Sequence, residues 1–398
     1  LALVEAEIRR DLISPRRDRA GLNAPAASPG ELSAVSASLS ANSSPTSCRA
    51  AWRGRAPTSP GDGASVVPPL GSGGGRSTPK SCWKRASQAP TSWSCASAAR
   101  VTMAKRVAWI GVGVMGRHMC RHLLDGGHSC SVFSRTTSKC DELVAAGATL
   151  CASPKEAAAG ADIVFTMVGA PSDVESVTLG QDGVLASLRP GGVLVDMTTS
   201  TPSLAERIAE QAGAGGVLAL DAPVSGGDVG AKAGSLSIMC GGSDEALTKA
   251  MPLLQLMGTP AHMGGPGAGQ HTKMCNQILA CNNMIGMTEA LLYAHRAGLD
   301  VERVIRAIGA GAAGSWAVNN LGPRVAARDF EPGFMIEHMA KDLGIACAEA
   351  ERLGLRLPGL ALAQRLYASL LKHGHGRDGT QALLLALEDA DKYFDKYD

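Results

Sequence analysis

Between residues 106 and 266 the chain alternates short apolar runs with segments of helical spacing. The run VAWI (107–110) leads into GVGVMG (111–116), then RHMCRHLLDGG, then HSCSVFSR. That order reads as strand, glycine turn, helix, strand. Three further apolar runs, in ADIVFTMVG, GGVLVDMTTS and GVLALDAPVSGG, each end in glycine or small polar residues. Parallel strands buried on both faces look like this. Helical spacing is expected around 171–178, 202–213 and 244–257. The predicted class is α/β, a doubly wound Rossmann-type sheet spanning 103–266.

Beyond this region the period changes. From His271 to about Ala297 only Gly286 interrupts a helical pattern, which corresponds to a rod of roughly 40 Å. Met274, Ile278, Cys281, Ile285 and Leu292 mark one apolar stripe on it. A connecting helix is therefore expected within 267–298. After it, DVERVIRAIGAGAAGSWAVNN, MAKDLGIACAEAERLG and GLALAQRLYASLLKHG keep helical spacing, so 299–398 is predicted to be an all-helical C-terminal domain.

Residues 1–102 differ in kind. They are rich in Ser, Ala, Pro, Gly and Arg, and stretches such as PPLGSGGGRSTPK have no period of 2 or 3.6. Such a composition buries too little apolar surface to offset its ordering entropy, so a disordered extension is expected. An Arg-rich, Ser-rich, acid-poor segment suits a transit peptide, which would make the protein mitochondrial. The chain begins at Leu1 and its first methionine is Met103, so non-native upstream sequence ahead of a cytoplasmic start at Met103 is the competing reading.

Charge adds one distinction. The 13 basic and 6 acidic residues before Val101 leave the remainder net acidic, with 25 basic against 30 acidic residues. A nucleic-acid groove is not expected in that body, and no apolar run reaches the roughly 18 residues of a spanning helix. Neither nucleic acid nor membrane is an expected partner. The eleven cysteines lack CxxC pairs or metal-like Cys/His clusters and read as reduced thiols, with no metal site.

The glycine turn supplies the first chemistry. Following a strand and opening a helix, Gly111, Gly113 and Gly116 fit the dinucleotide fingerprint. Gly111 makes the tight turn, Gly113 lets backbone N–H groups approach a pyrophosphate, and Gly116 lets helix and strand pack closely. Met115 lies within the same turn. At the end of the second strand, Ser134, Arg135 and Thr136 replace the acid that would accept from a ribose 2′-hydroxyl, and no acid occurs before Asp141. NADP is thus favoured over NAD; a solvated basic loop is the alternative reading.

Lys273, Asn276 and Gln277 lie at i, i+3 and i+4 near the start of the long helix. A lysine there opposes the helix dipole, and desolvation would lower its pKa toward neutrality, as proton transfer requires. With GVGVMG, DAPVSGG, GPGAGQHTKMCNQ and MAKDLGIA in this order, the chain resembles the β-hydroxyacid dehydrogenase family over about residues 104–390, above all its plant 3-hydroxyisobutyrate dehydrogenase-like branch. The resemblance implies a homo-oligomer acting on a small hydroxy acid or semialdehyde, with Lys273 as acid/base. It implies that Ser225, Gly226 and Gly227 bind the substrate carboxylate and that Thr199 lies near the nicotinamide. Phe334, Lys341 and Asp342 would close over cofactor and substrate. Many relatives carry Asn four residues after the lysine; here that residue is Gln277, and Asn276 is taken as the group that orients substrate. Reversible hydride transfer between a short hydroxy acid such as 3-hydroxyisobutyrate and its semialdehyde is expected. NADPH-dependent glyoxylate or succinic semialdehyde reduction, and a non-catalytic cofactor-binding interaction module, are the alternatives.

Overall fold

The computed structural model describes residues 104–389; the expectations for residues 1–102 lie outside the described residues. Nine strands form one sheet: β1 (Arg106–Ile110), β2 (Ser129–Phe133), β3 (Thr149–Leu150), β4 (Ile163–Thr166), β5 (Val193–Asp196), β6 (Leu218–Asp221), β7 (Val224–Ser225), β8 (Leu236–Gly242) and β9 (Gly258–Gly264). In the sheet their order is β3-β2-β1-β4-β5-β6-β8-β7, with β9 on β8. The first six are mutually parallel. This is the doubly wound arrangement the pattern predicts, and it points the carboxyl ends of β1, β2, β4, β5 and β6 the same way.

Period-2 alternation explains why these runs are apolar throughout. Val107, Trp109, Phe165, Val193 and Val195 enter one hydrophobic cluster, while Ala108, Ile110, Val164 and Leu194 enter another on the opposite face. Trp109 and Phe165 stack at 5.5 Å between centroids. The helices Pro171–Leu179 and Pro202–Ala214 each place Pro at the first turn, and Thr201 accepts from Leu204 N–H as the second one's cap.

Strands β8 and β9 were not evident from the pattern. The helix expected over 244–257 ends at Leu254, and β9 begins at Gly258. A Cβ on Gly258 would collide with the Leu236 carbonyl, and Pro260 sits in a strand paired only with β8. Proline is tolerated at such an edge, so a sequence with little strand propensity is held by its pairing.

The long helix runs Ala268–Arg296. It packs with the helices Ile336–Arg352, Pro358–Lys372 and Leu383–Glu388 around a core that includes Cys281, Met284, Leu343 and Tyr367. Of the expected stripe, Met274, Cys281 and Ile285 are buried, and Ile278 and Leu292 lie half-buried on the same core. Met287 and Leu291 are buried too, because helices pack on more than one side. Among the described residues, only an isolated bridge between Met335 and Gly379 has β character after β9. The eight described cysteines are free thiols, most of them buried.

Candidate active site

The glycine turn is built as its spacing requires. Gly111 has φ +102°, and a side chain there would collide with the Met167 carbonyl. A Cβ on Gly116 would meet the Gly111 carbonyl, which already accepts a 3.0 Å hydrogen bond from Trp109 Nε1. Gly113 differs: nothing lies within 4 Å of an added Cβ. No side chain caps the helix Gly116–Asp125 that follows. Its N-terminal N–H groups, beside open space at Gly113, fit a dinucleotide pyrophosphate.

Two neighbouring loops connect this turn to the rest of the site. After β4, Val168 N–H donates to Thr198 Oγ1 at 3.0 Å. Thr198 follows β5, where Asp196 accepts from Thr166 Oγ1 (2.7 Å) and Thr198 N–H (3.1 Å). Gln270, in the first turn of the long helix, then clamps that loop. Its Oε1 accepts from Ser200 N–H at 2.9 Å, and its Nε2 donates to Thr198 O at 2.7 Å. The same helix start is anchored by Asp221 at the end of β6, whose carboxylate accepts from Gly267 and Gln270 N–H, both at 2.8 Å. Burial pushes Asp196 and Asp221 each up to about 6 despite these donors.

Lys273 follows Gln270 by one turn. It is only 5% exposed, and its Nζ donates to Val224 O at 2.8 Å, immediately before Ser225, Gly226 and Gly227. Gly226 (φ +135°) and Gly227 (φ +64°) hold backbone conformations that side chains rarely adopt. Burial pushes the Lys273 ammonium down to about 8; Asp342 raises it and Lys341 lowers it further. The helix Ile336–Arg352 supplies both charges. Asp342 Oδ2 accepts from Gln277 Nε2 at 2.7 Å, and Gln277 Oε1 accepts from Asn276 Nδ2 at 2.8 Å. Lys341 Nζ lies 3.0 Å from Asp342 Oδ1 and donates to Thr199 O at 2.8 Å. Phe334 stacks on His338, and Gly333, one residue earlier, comes against Gly227 and Asp228.

Comparison with known proteins decides what such a site belongs to. Residues 106–278 match the family described as the NAD binding domain of 6-phosphogluconate dehydrogenase. Residues 267–387 match the family described as NAD-binding of NADP-dependent 3-hydroxyisobutyrate dehydrogenase. The chain is 54% identical over 284 residues to the probable 3-hydroxyisobutyrate dehydrogenase-like 1, mitochondrial, of Arabidopsis thaliana, covering 71% of this chain and 85% of that one. The chain belongs to the β-hydroxyacid dehydrogenase family. A second relative of this dehydrogenase, the NAD-dependent L-serine dehydrogenase of Pseudomonas aeruginosa, is 42% identical over 68% of this chain and 94% of its own. The solved 3-hydroxyisobutyrate dehydrogenase of Mycobacterium tuberculosis with L-serine superposes with a TM-score of 0.67 at 32% identity, over 72% of this chain and 99% of that one. The chain is thus an NAD(P)-dependent oxidoreductase acting on hydroxyl groups.

The structure brings most of the sequence-predicted residues of this dehydrogenase into one connected set: the glycine turn, Thr199, the 225–227 loop, Lys273, Asn276, Lys341 and Asp342. Ser134, Arg135 and Thr136 follow β2 beside the glycine turn, where Gly111 N–H donates to Phe133 O at 2.8 Å and Arg135 pairs with Asp173. Sequence reasoning missed Asp196, Asp221 and Gln270. For the two acids a signal existed: each ends an apolar run, and a carboxylate at the last position of a buried strand needs a partner. Gln270 gave none, since its partners lie about 70 residues away.

Proposed function

We propose that this dehydrogenase interconverts a short β-hydroxy acid such as 3-hydroxyisobutyrate with its semialdehyde, using NADP, with Lys273 as proton donor and acceptor. The observation that carries the reading is the Lys273 amine, buried, lowered to about 8 and hydrogen-bonded to the carbonyl that precedes Ser225-Gly226-Gly227. The nicotinamide cofactor, when bound, supplies or accepts the hydride. Gly111, Gly113, Met115 and the N-terminal N–H groups from Gly116 hold its pyrophosphate, and Ser134, Arg135 and Thr136 face its adenosine ribose. Support for NADP is the Arg135 guanidinium at the end of β2, where no acid stands.

The substrate carboxylate is held by the Ser225 hydroxyl and the N–H groups of Gly226 and Gly227. In reduction, Lys273 gives its proton to the oxygen as alkoxide charge develops; in oxidation the neutral amine takes the hydroxyl proton. Asn276 orients the substrate, with Gln277 holding Asp342 beside the amine. Thr199 flanks the nicotinamide, and Phe334, Lys341 and Asp342 shield the reacting centre from water. The composition of residues 1–102 supports mitochondrial residence, which a fluorescent fusion of the full chain checks by microscopy.

A matrix of hydroxy acids and aldehydes against both cofactors, followed by nicotinamide absorbance, tests the reading. Expected is turnover of 3-hydroxyisobutyrate and its semialdehyde with NADP(H). Preferential reduction of glyoxylate or succinic semialdehyde would reassign the substrate. Lys273→Ala should lower kcat by about 10²–10⁴-fold in both directions. In the parent, the reductive kcat/KM should fall as pH rises through about 8, where the amine loses its proton, and the oxidative one should rise. A Lys273→Ala enzyme as fast as the parent would sink the assignment.

A further inference from the structure

The Arg135 guanidinium is already held by a carboxylate. Its Nη1 donates to Asp173 Oδ1 at 2.8 Å and its Nη2 to Oδ2 at 3.2 Å, a bidentate pair. The two residues come from different strands: Arg135 follows β2, and Asp173 lies in the first turn of Pro171–Leu179, which follows β4. Strand β1 lies between β2 and β4. The pair therefore spans the carboxyl end of β1, the strand that delivers the glycine turn.

The partners are unequally exposed. Arg135 is 76% exposed, whereas Asp173 is 23% exposed. The Asp173 carboxylate is seated on the loop after β4, with its Oδ2 only 3.0 Å from where a Cβ on Gly169 would stand. Asp173 is the more buried member and Arg135 the exposed one. The two terminal guanidinium nitrogens that grip Asp173 are also those that grip a phosphate in a bidentate contact. A ribose 2′-phosphate held in that same end-on grip takes Arg135 from Asp173 and cannot share it in that geometry.

We propose that Asp173 is a specificity-determining residue for the cofactor: it competes with the 2′-phosphate for Arg135 and so weakens the chain's preference for NADP over NAD. The proposal rests on the reading above that Arg135 meets the 2′-phosphate. The carboxylate acts chiefly against the phosphorylated cofactor, because a neutral 2′-hydroxyl makes no bidentate, charge-assisted claim on the guanidinium. Its effect has the size of an exposed ion pair, about two- to fivefold in binding.

The test is calorimetric titration of the full chain with adenosine 2′,5′-bisphosphate and adenosine 5′-monophosphate, which isolates the phosphate without turnover. In Asp173→Asn, and again in Asp173→Ser, the bisphosphate should bind about two- to fivefold more tightly relative to the monophosphate than in the parent. In an Arg135→Ala background the same substitutions should give no such gain, since the competition has lost its object. If Arg135→Ala lowers the bisphosphate preference but the Asp173 variants leave it unmoved, the proposal fails and the Arg135 reading stands. A gain that persists without Arg135 also overturns it. If Arg135→Ala leaves the preference unchanged, the Arg135 reading fails and the proposal with it.

Discussion

At the scale of single residues, the three glycines of the turn have separate physical reasons, and the structure tells them apart. Gly111 and Gly116 are required by the protein itself, since a methyl group at either meets a carbonyl oxygen. Gly113 is required by nothing in the protein, because an added methyl would stand in open space. Gly113→Ala should therefore fold with a stability within about 0.5 kcal/mol of the parent. NADPH at about 100 times its Kd should stabilise the parent by about 2.7 kcal/mol. Gly113→Ala at the same concentration should show little of that gain in a thermal scan. Equal stabilisation of both proteins would mean that the pyrophosphate does not approach Gly113. These roles were legible because backbone geometry depends on local sequence. The partner of Arg135 was not, since it depends on which strand lies two positions away in the sheet.

At the scale of elements, two strands end in carboxylates that look alike and behave differently. Asp196 accepts the Thr166 hydroxyl and the Thr198 N–H on the same oxygen, Oδ1, an arrangement that an amide oxygen can reproduce. Asp221 uses Oδ1 for Gly267 and Oδ2 for Gln270, and an amide would leave one of those helix-start N–H groups unpaired. Both are raised to about 6 by burial, so the sign of their pH linkage is fixed. Their stabilising contribution is complete below the unfolded value near 4 and is lost as pH rises through about 6. Asp196→Asn should raise stability at pH 8 by about 1–3 kcal/mol, a gain that vanishes near pH 4. Asp221→Asn should leave a buried donor without an acceptor, a cost of about 1–3 kcal/mol that offsets or exceeds any gain from losing the charge. Urea unfolding at the two pH values checks both. An Asp196→Asn gain that persists near pH 4 would remove charge burial as its cause.

At the scale of the whole molecule, the long helix is where the sheet and the helical core act on one another. Its start is bound to the strand ends by Asp221 and Gln270, and its later turns are buried among C-terminal helices. Lys273 therefore sits in an N-terminal sheet's loop cluster yet takes its electrostatics from the Ile336–Arg352 helix. Asp342→Asn removes the charge that raises the amine, so the midpoint of the reductive pH profile should move to lower pH. Lys341→Met removes the charge that lowers it, so the midpoint should move to higher pH. Profiles that shift the same way in both variants would show that these two charges do not set the amine.

The sequence by itself determined the doubly wound class of the sheet, the glycine turn and the long helix that follows the sheet. Each of these follows from spacing within one or two turns or strands, where local periodicity and chain stiffness decide. Strands β8 and β9, the Gln270 clamp, the anchoring of the helix by Asp221 and the capture of Arg135 by Asp173 were decided only by the tertiary structure. Their partners are tens of residues away, and a hydrogen bond or ion pair leaves no periodic trace in the sequence on either side.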